Sequence, residues 1–226
     1  MKKIVILAIL LVPAMWALFL YTGKHSVDTV PYFGPREAVQ NANGTTDTIY
    51  HKIPAFSFDG HNGSRVTNNT FENSIYVADF IFTTCAEICP KMSTQLMRVQ
   101  NEFEEFDNVK FLTHTVNPKH DTVGVMKNYA EQYGAIDGKW FMVTGNKKEI
   151  YDIARHGYFL DVRDGDGGDH DFIHSQDMIL IDENGHMRGI YDGTNSLKVN
   201  DLIKDIEALQ YELSQSLKNN GKHEDR

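Results

Sequence analysis

Apolar positions fall along this chain in three rhythms, and each predicts a different element. The first is an uninterrupted apolar run over residues 4–21, free of charge and preceded by Met1, Lys2 and Lys3. Such a run reaches the short end of the length a membrane helix needs, about 18 residues. The run continues through Trp16, Phe19 and Tyr21 without a small-x-small cleavage pattern, so it reads as an uncleaved single-pass anchor with the lysines on the cytoplasmic side. The second rhythm is a set of short, dense stretches of β-branched and aromatic residues at 75–82, 109–116, 140–144, 178–181 and 187–191, which predict strands. Asn184-Gly185 between the last two predicts a hairpin turn, and a Gly/Asn-rich turn between 56–58 and 65–67 predicts another. The third rhythm recurs at steps of four and three. It places Met92, Leu96, Val99, Phe103 and Phe106 on one face of a helix that follows Pro90, and Leu202, Ile206, Leu209 and Leu213 on one face of a final helix. Residues 122–133 and 147–155 fit two further helices.

Strands and helices therefore alternate, and the predicted fold class is α/β, a central mixed sheet flanked by helices. Four segments follow: an anchor over 1–21, a mobile linker over 22–53 rich in Gly, Pro, Asn and Thr, one folded domain over 54–217, and a frayed polar tail over 218–226. The formal net charge is −9. Without Lys2 and Lys3 the exported part is more acidic still, which argues against nucleic acid or anionic lipid as a partner. An anchor of this orientation puts the domain on the non-cytoplasmic side of the cytoplasmic membrane, where disulfides form and thiols need protection.

The chain has two cysteines, Cys85 and Cys89, both in the turn between a predicted buried strand and a predicted helix. Pro90 favours the first helical turn, so the helix is expected to begin just past the second thiol, with Cys89 at or near the N-cap. Backbone N–H groups and the helix dipole favour thiolate there, which readies the sulfur for metal or disulfide chemistry. Two inert core cysteines are the plain alternative. A purely structural disulfide ranks lower, because so short a loop removes little entropy from the unfolded chain.

A strand, a cysteine pair at a helix start, then βα units and a closing hairpin and helix look like the thioredoxin fold. Thioredoxins, however, space their cysteines CxxC, whereas this chain has CxxxC. The stretch Phe82-Thr83-Thr84-Cys85-Ala86-Glu87-Ile88-Cys89-Pro90 resembles the F-T-x-C-x-x-x-C-P signature of the Sco/SenC copper chaperones. Val116-Asn117-Pro118-Lys119-His120-Asp121-Thr122 is similar to that family's V-D-P-x-x-D-T segment, and Asp171-Phe172-Ile173-His174-Ser175 to its D-x-x-x-D-H-[ST] segment. The match spans roughly 54–213. The resemblance implies a thioredoxin-like domain that binds copper, Cu(I) or Cu(II), through Cys85, Cys89 and His174. It also implies a role in building the copper centre of cytochrome c oxidase. Its expected partners are a copper-accepting oxidase subunit and a copper donor or thiol reductant protein, with Cys85 and Cys89 doubling as a redox disulfide. Two thiolates and an imidazole make a soft donor set that suits copper, although zinc accepts the same ligands. The chain departs from the family in Ile173, where an Asp precedes the histidine, and in Asn117; Asp171 or Asp177 would then have to orient the ring. The other histidines considered, His114, His120, His156 and His170, read as surface or hydrogen-bonded residues.

Three other readings compete. The glycine-interrupted acidic stretch 161–171 fails the EF-hand pattern and reads as a flexible loop beside His174. A thiol–disulfide oxidoreductase would use Cys85 as the attacking thiol. The cis-proline such enzymes share is missing, since the last proline is Pro118 and His174 occupies the corresponding neighbourhood. A peroxide-sensing role would convert one thiol to sulfenic acid.

Overall fold

A computed structural model describes Val12 and residues 29–41, 43–160 and 175–224, with side chains described to residue 216. Seven strands form one sheet: β3 (Ser57–Gly60), β4 (Arg65–Thr67), β5 (Ile75–Ile81), β6 (Val109–Thr115), β7 (Trp140–Thr144), β8 (Asp177–Ile181) and β9 (Met187–Asp192), in the order β4-β3-β7-β6-β5-β8-β9. The central strands β5, β6 and β7 run parallel, and antiparallel pairs flank them on both sides. The mixed sheet predicted from the alternation is thus present. Parallel neighbours need crossover helices, and α1 (Ile88–Glu102) and α2 (Val123–Gln132) supply them. After β7, α3 (Lys147–Asp152) passes into a π-helical turn (Ile153–Gly157), and α4 (Ser196–Glu224) follows β9.

Because both faces of the sheet are covered, every residue of β5 is buried, and the strand serves two cores. Ile75, Val77 and Ile81 face Met92, Leu96 and Val99 of α1, Met126 of α2 and Leu202 and Ile206 of α4. Tyr76, Ala78 and Phe80 point the other way, into a core with Ile150, Tyr151 and Tyr158. The predicted α1 stripe holds as far as Phe103. Phe106 is 46% exposed, because the helix is capped at Phe103 and the following turn carries Phe106 out to lie edge-on against its ring.

Two segment readings need correction. Within the expected mobile linker, β1 (Arg36–Gln40) and β2 (Thr46–Tyr50) pair as an antiparallel hairpin closed by the Asn41–Thr45 turn, with Gly44 at φ +81. Val30 is buried because Arg188 donates to its carbonyl, so the folded part begins well before residue 54. At the other end the helix continues to Glu224, through most of the expected frayed tail, because no proline interrupts its ladder. Among the described residues no helix is long and apolar enough to cross a membrane, and the predicted anchor, Val12 apart, lies outside them.

Candidate metal centre

Strand β5 delivers the chain to the cysteine loop. The Cys85 N–H donates to the Phe82 carbonyl at 3.1 Å, turning the backbone back on itself. Helix α1 then starts at Ile88, one residue before Cys89 rather than after it. Pro90 permits this because the first four N–H groups of a helix have no partner within it, so a missing one there costs nothing. The two-residue difference reverses the expected roles of the thiols. Cys89 sits inside the first turn with its side chain buried, and the sulfur that meets the open helix end is that of Cys85, which accepts the Cys89 N–H at 3.4 Å.

Their acidities follow. Burial works against the Cys85 thiolate, but the N–H groups of Cys89, Glu87 and Ile88 and the Cys89 thiol outweigh it, and its pKa lies below the ordinary thiol value. Burial pushes the Cys89 thiol up to about 12, against a smaller lowering from the Phe82 N–H. Both cysteines are free thiols. They share a cavity of about 210 Å³ whose walls are Phe80, Phe82, Ile88, Ser175 and Gln176. An acidic, accessible sulfur and a protonated, enclosed one therefore line a single apolar recess, a place where a soft ion loses water and gains two sulfur donors.

His174, His170, Asp171 and the whole acidic stretch 161–171 lie outside the described residues. The described chain resumes at Ser175, in the wall of the thiol cavity. Asp177, one of the two carboxylates considered as ring orienters, accepts from the Ser175 hydroxyl at 2.8 Å. The remaining histidines keep their plain readings. His114 is buried on the far face of the sheet, stacked on Phe80 with ring centroids 4.4 Å apart. His156 is exposed in a separate groove beside Pro54 and Phe58, and His120 pairs with Asp121. Among the described residues, no group of three or more His, Cys, Asp or Glu side chains is placed to hold a metal ion.

Two carboxylates near the site were given no role by the sequence, although Asp121 stands in the 116–122 segment matched to the family. Asp121 is fully buried between the cysteine loop and β6, accepting from Thr83, Thr115 and His120. Asp79, on the same face of β5 as Val77 and Ile81, accepts from the Thr113 hydroxyl at 2.6 Å with one oxygen and leaves the other without a partner. Burial pushes its pKa up to about 7. An aspartate inside an otherwise apolar strand was the available signal for Asp79.

The SCO1/SenC family model matches residues 44–210. This chain belongs to the SCO1/SenC family. Within the family it is 26% identical over 164 residues to a SCO1 protein homolog of Bacillus subtilis, covering 72% of this chain and 84% of that one. It resembles the structure of BsSco, described as a member of the Sco family of cytochrome c oxidase assembly proteins with a disulfide switch. The TM-score is 0.61 at 25% identity, over 71% of this chain and 94% of that one. The fold also matches Arabidopsis thaliana ScoI solved with copper bound, with a TM-score of 0.55 at 24% identity over 68% of this chain and 97% of that one. The SCO1/SenC fold is thioredoxin-like, and the CxxxC turn, the parallel β5-β6-β7 core and the β8-β9 hairpin of this chain are its framework.

Proposed function

We propose that this protein is a membrane-anchored copper carrier that takes up one copper ion through Cys85, Cys89 and His174 and passes it to a copper-accepting subunit during cytochrome c oxidase assembly. The observation that carries the reading is the pair of free thiols lining one apolar cavity with unequal acidities. Cys85 offers a sulfur that is readily a thiolate, so it makes first contact with the ion. Cys89 keeps its proton until the ion replaces it, so loading releases a proton and is disfavoured in acid. Exclusion of water by Phe80, Phe82 and Ile88 favours soft sulfur donors over oxygen ligands. His174 precedes Ser175, which lines the same cavity, and it matches the family's histidine position. BsSco, described as a member of the Sco family of cytochrome c oxidase assembly proteins, supports the destination. The anchor, the single-pass topology and a domain on the periplasmic side rest on the apolar run at 4–21 and the lysines before it.

Metal analysis of the full chain, purified with its thiols reduced, tests this. One copper per chain is expected, with His174→Ala weakening it or altering its spectrum. Unchanged affinity and spectrum in that variant would remove His174 from the site, and a preference for zinc would replace the cargo.

The acidity difference also favours a second reading, thiol–disulfide exchange. The Cys85 thiolate would attack a partner disulfide, one partner sulfur leaving as thiolate, and Cys89, once deprotonated, would resolve the mixed disulfide to free the second. Rapid turnover of a model disulfide by copper-free protein that survives His174→Ala would favour it over copper carriage.

A further inference from the structure

Asp121 is the point on which the thiol loop is hung. Its carboxylate is completely enclosed, no lysine or arginine among the described residues is bonded to it, and four donors use its acceptor capacity. One oxygen accepts the Thr83 hydroxyl at 2.5 Å and the His120 ring Nδ1–H at 2.8 Å; the other accepts the Thr83 N–H at 3.1 Å and the Thr115 hydroxyl at 2.5 Å. Thr83 stands two residues before Cys85, in the loop that leaves β5. Thr115 ends β6, the neighbouring strand, and its hydroxyl also accepts the Asn117 N–H at 2.9 Å. Asp121 itself is fixed from behind, its N–H donating to the Asn117 carbonyl at 2.9 Å, immediately before the start of α2. A buried carboxylate with this many donors is costly to disturb, since each loss leaves a desolvated partner.

We propose that Asp121, acting through Thr83, is a positioning residue for copper capture: it holds the loop so that the Cys85 sulfur faces the Cys89 N–H at the start of α1 and lines the shared cavity. The proposal deepens the copper-carrier reading and rests on it for the metal, but not for the thiol. Without the anchor, Thr83 and Thr84 gain freedom, Cys85 drifts from that donor, and two consequences follow in parallel. Cys85 loses its contact with the Cys89 N–H and becomes a less reactive sulfur, and the two thiols no longer line one cavity together. Asp121 touches neither the ion nor a thiol, so its effect passes entirely through the loop.

The test uses the full chain with reduced thiols, and two readouts: the rate at which Cys85 is alkylated at pH 7 without copper, and copper affinity from competition with a chelator. Thr83→Val removes the hydroxyl donor while leaving the carboxylate charge in place. It should slow Cys85 alkylation at least threefold and weaken copper binding about tenfold or more, whereas Thr83→Ser, which restores a hydroxyl, should return both to within twofold of the parent. Asp121→Asn should weaken copper binding at least as much as Thr83→Val. A purely structural role would lower the melting temperature of both variants and leave the folded protein's alkylation rate and affinity within twofold of the parent, and that result overturns the proposal. If Asp121→Asn does not fold, Thr83→Val and its serine partner decide alone. If alkylation responds as expected but the parent binds no copper, the carrier reading fails and the positioning role stands.

Discussion

The two thiols of the CxxxC turn should differ sharply in reactivity, and the difference can be worked out before measurement. Cys89 has a pKa pushed up to about 12, so at pH 7 roughly one molecule in 10⁵ carries its thiolate. Cys85 lies below the thiol reference value of 9.0, so its thiolate fraction exceeds about one in 10². Concentration of thiolate alone therefore favours Cys85 by about 10³ or more. A more basic thiolate is the better nucleophile, and a Brønsted slope of about 0.4–0.5 over those three pKa units returns roughly 15- to 30-fold to Cys89. What remains is a factor of roughly 30 or more in favour of Cys85. Burial of the Cys89 side chain widens it further. Brief treatment of the reduced full chain with iodoacetamide at pH 7, followed by peptide mass analysis, reads the ratio directly. Modification almost wholly at Cys85 is expected. Equal labelling, or faster labelling of Cys89, would refute the claim that the start of α1 serves the first sulfur rather than the second.

Three further outcomes follow from the cores. His114 is enclosed by Phe56, Phe58, Phe80 and Tyr158, and burial lowers its pKa to about 3, against a weaker opposing contact with the Asp79 carbonyl. Between about pH 3 and 6.5 the unfolded chain holds a proton here that the folded one lacks, so stability from this site is complete above 6.5 and falls by about 2 kcal/mol on going to pH 5; His114→Phe should abolish that loss in denaturant titrations. Asp79 has the opposite sign: with a folded pKa near 7 against 3.8 unfolded, the folded state keeps a proton the unfolded state has released, so stability declines as pH rises through that window, by about 4 kcal/mol in all. The two slopes oppose each other over their shared range, so the parent's stability should be flatter than that of either variant, and Asp79→Asn should expose the histidine's acid loss. A Cβ on Gly189 would stand 2.2 Å from the Tyr191 hydroxyl, which donates to Asp205, so Gly189→Ala should cost about 1–3 kcal/mol in a thermal or denaturant melt; no loss would mean that ring moves freely.

Much of this fold is written in local pattern. Ile75 to Ile81 reads as a strand because its residues suit a sheet covered on both faces, and Asn184-Gly185 names its own turn. The cysteine pair was visible as a site because two rare residues share one strand-to-helix turn. Which of the two is the acidic one was not visible, since it depends on whether the helix begins at Ile88 or at Pro90, and proline tolerates either. Asp121 was visible in the matched 116–122 segment but its role was not, because its partners Thr83 and Thr115 are brought to it by the pairing of β5 with β6, a long-range contact without periodicity. The β1-β2 hairpin escaped because its strands bury little and leave only a weak alternation, and its place is set by contacts such as the Tyr32–Tyr50 stack and Arg188 over Tyr32.

X-ray absorption at the copper edge of the loaded full chain, recorded for the parent and for His174→Ala, tests the copper-carrier claim most directly. Two sulfur scatterers and one imidazole are expected in the parent, with the imidazole lost and both sulfurs kept in the variant. A first shell of nitrogen and oxygen alone, or one sulfur only, would contradict a centre built on the paired thiols.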